Sequence, residues 1–218
     1  MQTSRFFCNA AEKYLLPIIL NRMNKEFTLD DAQIMKIVRE EIANFDRLLI
    51  EKENSPQSAC GSTVLIGVRT SQYLVLSNLG DSRAAFFARG QWYVTQDHQA
   101  GKNATQLLAA GGTLTRVMGN WRIGGIVPVF RALGAANFKD KGWVMNGPNF
   151  VVITLSKNPN LSVIMATRCV WDVLTGKEAL EIVAQNKHKK YFGAKQLVDT
   201  VSSKLQFKDH LSVLIVNL

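Results

Sequence analysis

The run Leu161-Ser-Val-Ile-Met-Ala-Thr-Arg-Cys-Val-Trp-Asp-Val173 decides how the rest of the chain is read. Its first half, Ser162 to Thr167, has the length and β-branched content of a buried strand. The polarity then changes abruptly at Arg168. A buried strand that ends on a polar residue fixes where that side chain points, which is a common way to build a site. Moving outward, Phe150–Thr154 and Leu211–Val216 read as strands of the same kind. Further upstream, Thr63–Val68, Tyr73–Ser77, Ala84–Ala88 and Trp92–Thr95 are short apolar runs, the last two joined by Arg89-Gly90 as a tight hairpin.

Helical periodicity brackets these strands. Phe6, Ala10, Tyr14 and Ile18, with Leu15 and Ile19, predict a helix over 3–24 that Pro17 kinks. Ile34, Ile37, Val38, Ile42, Phe45, Leu48 and Leu49 stripe a second helix, capped at Thr28 with Asp31 and running to about Lys52. Residues 103–110, 177–185 and 194–205 are three more helices. The glycine- and proline-rich stretch 119–149 predicts loops, with short strands around Arg122-Ile123. Helices, then strands, then helices indicate an α+β layered domain. No composition shift divides it, so residues 1–218 are expected to form a single domain.

Several blocks, taken in order, resemble the metal-dependent protein phosphatase 2C family. Val163-Ile-Met-Ala-Thr-Arg-Cys-Val-Trp-Asp172 is similar to the family's L-I-L-A-T-D-G-x-W-D block. Cys60-Gly-Ser-Thr63 resembles S-G-S-T, Ser77-Asn-Leu-Gly-Asp-Ser-Arg83 resembles N-x-G-D-S-R, and Val94-Thr-Gln-Asp-His98 resembles L-T-x-D-H. Gly111-Gly112 with Arg116-Val-Met-Gly119, Phe130-Arg-Ala-Leu-Gly-Ala135, and Lys208-Asp-His-Leu-Ser212 follow at the family's order and spacing. The resemblance implies an α-β-β-α sandwich of two antiparallel sheets flanked by helices. It also implies that the chain starts after the family's first strands, so the domain is expected to be N-terminally incomplete.

Enzymes of that family use paired Mg²⁺ or Mn²⁺ ions to activate water against a phosphate ester, and such ions need convergent carboxylates. The family's early R-x-x-x-E-D and D-G-H-G-G blocks do not occur here. The Asp of T-D-G is Arg168, and the Asp that ends S-R-A-L-G-D is Ala135. Asp81, Asp172 and Asp209 remain as metal-site carboxylates. If they converge, they repel one another unless a cation joins them. The guanidinium of Arg168 is expected to be that cation, pairing with them where a metal would sit. The alternative is an Arg168 turned into solvent. The resemblance therefore implies a degenerate, pseudophosphatase-like member with no catalytic residue assigned, no metal and no cofactor. It would work as a binding or regulatory module for a protein partner: a kinase, a phosphatase or a phosphoprotein. Arg168, Arg122 and Arg131 are candidates to hold a phosphate without cleaving it. The alternative function is a Mn²⁺- or Mg²⁺-dependent protein Ser/Thr phosphatase of weak or residual activity, its missing ligand blocks lying upstream.

Composition narrows the remaining classes. The 218 residues carry a formal net charge of +9 and are 47% hydrophobic, which describes a globular chain; the charge suggests an acidic partner, and the plainer reading is a solvated basic surface. No aromatic–basic motif supports a nucleic-acid partner, and no run reaches the length of a membrane span. Cys8, Cys60 and Cys169 are unevenly spaced, as expected of reduced thiols in an intracellular compartment, with cytoplasm ahead of nucleus. Cys169 lacks the C-x₅-R arrangement of a cysteine phosphatase. His98 and His210 read as structural or solvent-facing, and His188 as part of a solvated basic helix end. Trp92, Trp121, Trp143 and Trp171 read as core or interface anchors.

Overall fold

The computed structural model describes residues 7–25, 29–53, 60–205 and 210–218. The expected Thr28 cap, the break at 54–58 and Asp209 lie outside the described residues.

The first helix is helical from Phe7 but widens to a π-turn over Ala11–Leu15 before α1 (Leu16–Met23). Pro17 explains the widening. It has no N–H to give the carbonyl four residues back, and its ring crowds that carbonyl, so the helix opens by one residue just ahead of it. Helix α2 (Asp31–Glu53) follows. Its buried stripe of Ile34, Ile37, Val38, Ile42, Phe45 and Leu49 meets Leu15 and Ile19 on one side and Ile66, Val75 and Leu79 on the other.

The strands come next: β1 (Gly61–Ser62), β2 (Val64–Arg69), β3 (Tyr73–Leu79), β4 (Arg83–Ala88) and β5 (Gln91–Val94). After helix α3 (Ala104–Ala109) come the hairpin β6 (Leu114–Val117) and β7 (Asn120–Ile123), then β8 (Leu133–Gly134), the short helix α4 (Ala136–Lys139) and β9 (Asn149–Thr154). The chain closes with β10 (Ser162–Ala166), the one-turn helix α5 (Arg168–Trp171), helices α6 (Gly176–Asn186) and α7 (Ala194–Lys204), and β11 (Val213–Asn217).

Two antiparallel sheets result, β2-β3-β9 and β11-β10-β4-β5. Strand alternation divides their side chains between layers. Leu74 and Leu76 of β3 face Ala84, Phe86 and Val163 of the second sheet. Val75 and Leu79 turn the other way, onto α2. Ala85, Ile164 and Ala166 face Leu180, Val183, Leu197 and Val201 of α6 and α7. The class is α+β, with helices on both outer faces of two packed sheets. Burying each such Leu, Ile or Val contributes about 1.5–3 kcal/mol, so the layered core, not local propensity, holds the turns in place.

One expectation from the sequence is corrected, and one unassigned segment is resolved. Arg168 does not end a strand; it opens α5, one residue after Thr167, whose extended backbone (ψ 161°) separates strand from helix. Residues 114–117, unassigned by pattern, form β6 against β7.

Candidate functional site

The site is built at the ends of β3 and β4 and at the start of α5. The β3–β4 turn is Gly80-Asp81-Ser82. Gly80 has φ +112°, and a Cβ there would lie 2.2 Å from the Thr63 side chain, so only glycine fits. The turn is clamped by His98. Its ring Nδ1 accepts the Gly80 N–H at 3.0 Å, and the His98 backbone N–H donates to the Gly80 carbonyl at 2.9 Å. Burial, and then the positive charge of Arg131, push the His98 pKa down to about 4, so the ring is neutral and can accept that bond. Next to it, buried Asp97 pairs with Arg83 and, at 2.6 Å, with Lys102. Asp81 is thus carried on a turn fixed from both flanks.

Asp81 itself is 8% exposed. Burial raises its pKa to about 6; Arg168 pulls it down, and Asp172 and Asp97 push it up.

Arg168 is placed by the bonds around Thr167. The Thr167 N–H donates to the Ser212 carbonyl (3.1 Å) and its hydroxyl accepts the Ser212 N–H (3.0 Å), tying the start of α5 to the segment before β11. The Trp171 indole N–H donates to the Ala166 carbonyl at 2.9 Å, fixing the other end of the turn. From there Arg168 Nε donates to Asp172 Oδ2 at 2.9 Å. Arg168 and Asp81 line one cleft of about 270 Å³ with Gln99, Lys102, Asn120, Trp121 and Pro128.

The structure therefore brings Asp81, Asp172 and Arg168 into one neighbourhood, with Asp209 outside the described residues. It does not assemble the three arginines into one phosphate cradle. Arg122 donates to the Ile126 carbonyl at 2.7 Å, and Arg131 donates to the Gly147 carbonyl and to Asn149 Oδ1. Neither lines the cleft; both guanidiniums are engaged by these loop partners instead. Ala135 does not line it either. It sits buried in the turn between β8 and α4, at φ 55° and ψ 42°, with its N–H on the Cys60 carbonyl. Lys102, Gln99, Asn120 and Trp121 are cleft residues that sequence patterns did not single out. Trp121 is held there by Gly101, where a Cβ would come within 2.6 Å of the indole.

A pair of divalent cations does not fit this donor set. One of the two described carboxylates is bonded to a guanidinium, and among the described residues no three His, Cys, Asp or Glu side chains are grouped to hold a metal.

The model of the family described as "Protein phosphatase 2C" matches residues 5–206. The chain belongs to the protein phosphatase 2C family. It is 28% identical over 166 residues to protein phosphatase 1L of Bos taurus, covering 74% of this chain and 46% of the relative. It is 27% identical over 204 residues to probable protein phosphatase 2C 14 of Arabidopsis thaliana, covering 90% and 43%. The chain thus spans just under half the length of these two relatives. Among solved structures, the serine-threonine phosphatase 2C of Toxoplasma gondii superposes with a TM-score of 0.76 at 19% identity, over 94% of this chain and 78% of that one. A C. elegans sex determining protein gives the same TM-score and identity over 95% of this chain and 52% of its own. These likenesses establish a protein phosphatase 2C fold. Among the described residues no helix is long and apolar enough to cross a membrane.

Proposed function

We propose that the chain is a catalytically inactive member of the protein phosphatase 2C family that acts by binding, as a regulatory module for a protein partner. The observation that carries this reading is the Arg168–Asp172 pair, whose arginine lines a cleft together with the buried carboxyl of Asp81. A fixed, permanently charged guanidinium supplies the positive charge that this carboxylate cluster needs. Unlike a metal, it cannot lower the pKa of a bound water or polarise a phosphoryl oxygen as a Lewis acid. The group keeps the site folded without giving it a nucleophile. Of the three arginines considered for phosphate, Arg168 is the one that lines the cleft, with Lys102 beside it. A phosphoprotein partner would present its phosphate to these two cations, each of which already holds a carboxylate.

The alternative is a weakly active Ser/Thr phosphatase. It is favoured by the likeness to relatives named as protein phosphatases, of which the chain spans just under half the length.

Hydrolysis of a small aryl phosphate with millimolar Mn²⁺ separates the two. We expect no metal-dependent turnover from the unaltered chain. Turnover that chelation abolishes would overturn the inactive reading. Turnover gained only by the Arg168→Asp, Ala135→Asp variant would identify these two substitutions as the lesion.

A further inference from the structure

A second groove lies at the far end of the same sheet. Strand β4 runs from Arg83, beside the cleft, to Ala88, so its two ends are about 17 Å apart at 3.3 Å per residue. At the Ala88 end a groove of about 400 Å³ opens between the β4–β5 hairpin, the loop before β10 and the last turn of α6. Phe87, Trp92, Leu180 and Val183 give it an apolar lining, with the Phe87 and Trp92 rings 4.6 Å apart between centroids. Its charged lining is Arg89, Lys157 and Lys187, all exposed, with no carboxylate among the residues that form it.

The groove begins where an open sheet edge ends. Strand β5 is the last of its sheet. The bond from the Thr95 N–H to the Ala84 carbonyl fixes the pairing parity: Gln91 and Tyr93 turn their backbone groups toward β4, and Trp92 and Val94 turn theirs outward. Among the described residues no hydrogen-bond partner meets those outward groups. Proteins usually blunt such an edge with Lys, Pro or a bulge. This one reads Gln-Trp-Tyr-Val, with every residue exposed and no charge.

We propose that the β5 edge and this groove together bind an extended acidic peptide segment of a partner protein. The segment pairs with the outward N–H and C=O groups of Trp92 and Val94 as an added strand. Past Trp92 it reaches the hairpin tip, where an apolar side chain enters the groove and flanking carboxylates meet Arg89, Lys157 and Lys187. The rim explains the sign of the partner and the edge explains its extended form. The surface is remote from the Arg168 cleft and does not depend on whether that cleft is inactive.

The test is selection of a displayed library of random twelve-residue peptides on the full chain, followed by fluorescence anisotropy with an enriched synthetic peptide. Enrichment of sequences pairing carboxylates with apolar residues is expected. Binding should fall at least tenfold in the Lys157→Glu, Lys187→Glu variant, in Trp92→Ala, and for the same peptide N-methylated at alternate amides. The protein substitutions are at exposed positions, so an unchanged thermal midpoint confirms that they leave the fold intact. Failure to enrich over bare beads, enrichment without acidic bias, or binding indifferent to charge reversal would overturn the proposal. Binding indifferent to N-methylation would overturn strand addition.

Discussion

Asp81 and Asp97 are sixteen positions apart, both buried, and both belong to blocks that mark the family. Their surroundings differ in one respect. Asp97 pairs with Arg83 and Lys102, one cation to each carboxylate oxygen. Among the described residues Asp81 makes no such ion pair; Arg168 acts on it only as a nearby charge, and burial wins, raising its pKa to about 6. A buried carboxylate whose oxygens are both matched is part of the frame. A buried carboxylate that is left under-compensated marks a candidate site, because the fold holds it at a cost that a bound charge would offset.

The comparison can be broken by mutation. Asp97→Ala should destabilise the chain by about 3–5 kcal/mol in denaturant unfolding, because it leaves Arg83 largely buried without its partner. A loss below about 1 kcal/mol would mean that pairing is not what makes Asp97 structural. Asp81→Asn should act in the opposite direction. With a folded pKa near 6 against 3.8 unfolded, Asp81 binds its proton more tightly in the folded state, so its contribution to stability falls as pH rises from about 4 through 6. Above that window the penalty is on the order of 3 kcal/mol, and the Asn variant should recover about 1–3 kcal/mol at pH 7.5. His98 has the reverse sign: its folded pKa of about 4 lies below 6.5, so stability falls as pH drops through the same window. The two slopes oppose each other in the unaltered chain. Removing Asp81 should therefore leave a thermal midpoint that climbs more steeply between pH 4 and 6. An Asn variant with an unchanged slope would show that Asp81 does not titrate there.

How much of this was legible depended on whether local chemistry or spatial convergence decided each point. The strands were readable because runs such as Val163-Ile-Met-Ala166 are buried on both faces, which needs a sheet covered on both sides, here by the other sheet and by helices. The pairing of Arg168 with a site aspartate was readable in outline, since Asp172 lies four residues on and the two are neighbours on any helix. What a pattern cannot give is which side of a hairpin faces a cleft. Arg122 was expected at the site and Trp121 as an anchor, yet Trp121 lines the cleft and Arg122 turns to the Ile126 carbonyl. Adjacent strand residues point to opposite faces, so an error of one position exchanges them. Lys102 gave no signal, because its role comes from a turn that brings it onto Asp97. The left-handed backbone at Ala135 was equally silent, as alanine is an uncommon occupant of a conformation that suits Gly, Asn or Asp.

The smallest effect gives the sharpest test of the comparison, and it comes from Arg168. The Arg168–Asp172 pair is partly exposed and spans one helical turn, so breaking it by Arg168→Leu should cost about 1 kcal/mol of stability. Its consequence for Asp81 should be distinct. Arg168 is the main influence pulling the Asp81 pKa down against burial. Without it the carboxyl should titrate at a higher pH than in the unaltered chain, which can be read from the side-chain carboxyl resonance by NMR. A shift upward with little change in stability would assign Arg168 to charge compensation of Asp81 across the cleft. An unmoved midpoint would mean that Arg168 does not compensate the Asp81 charge, and that burial sets the Asp81 pKa without it.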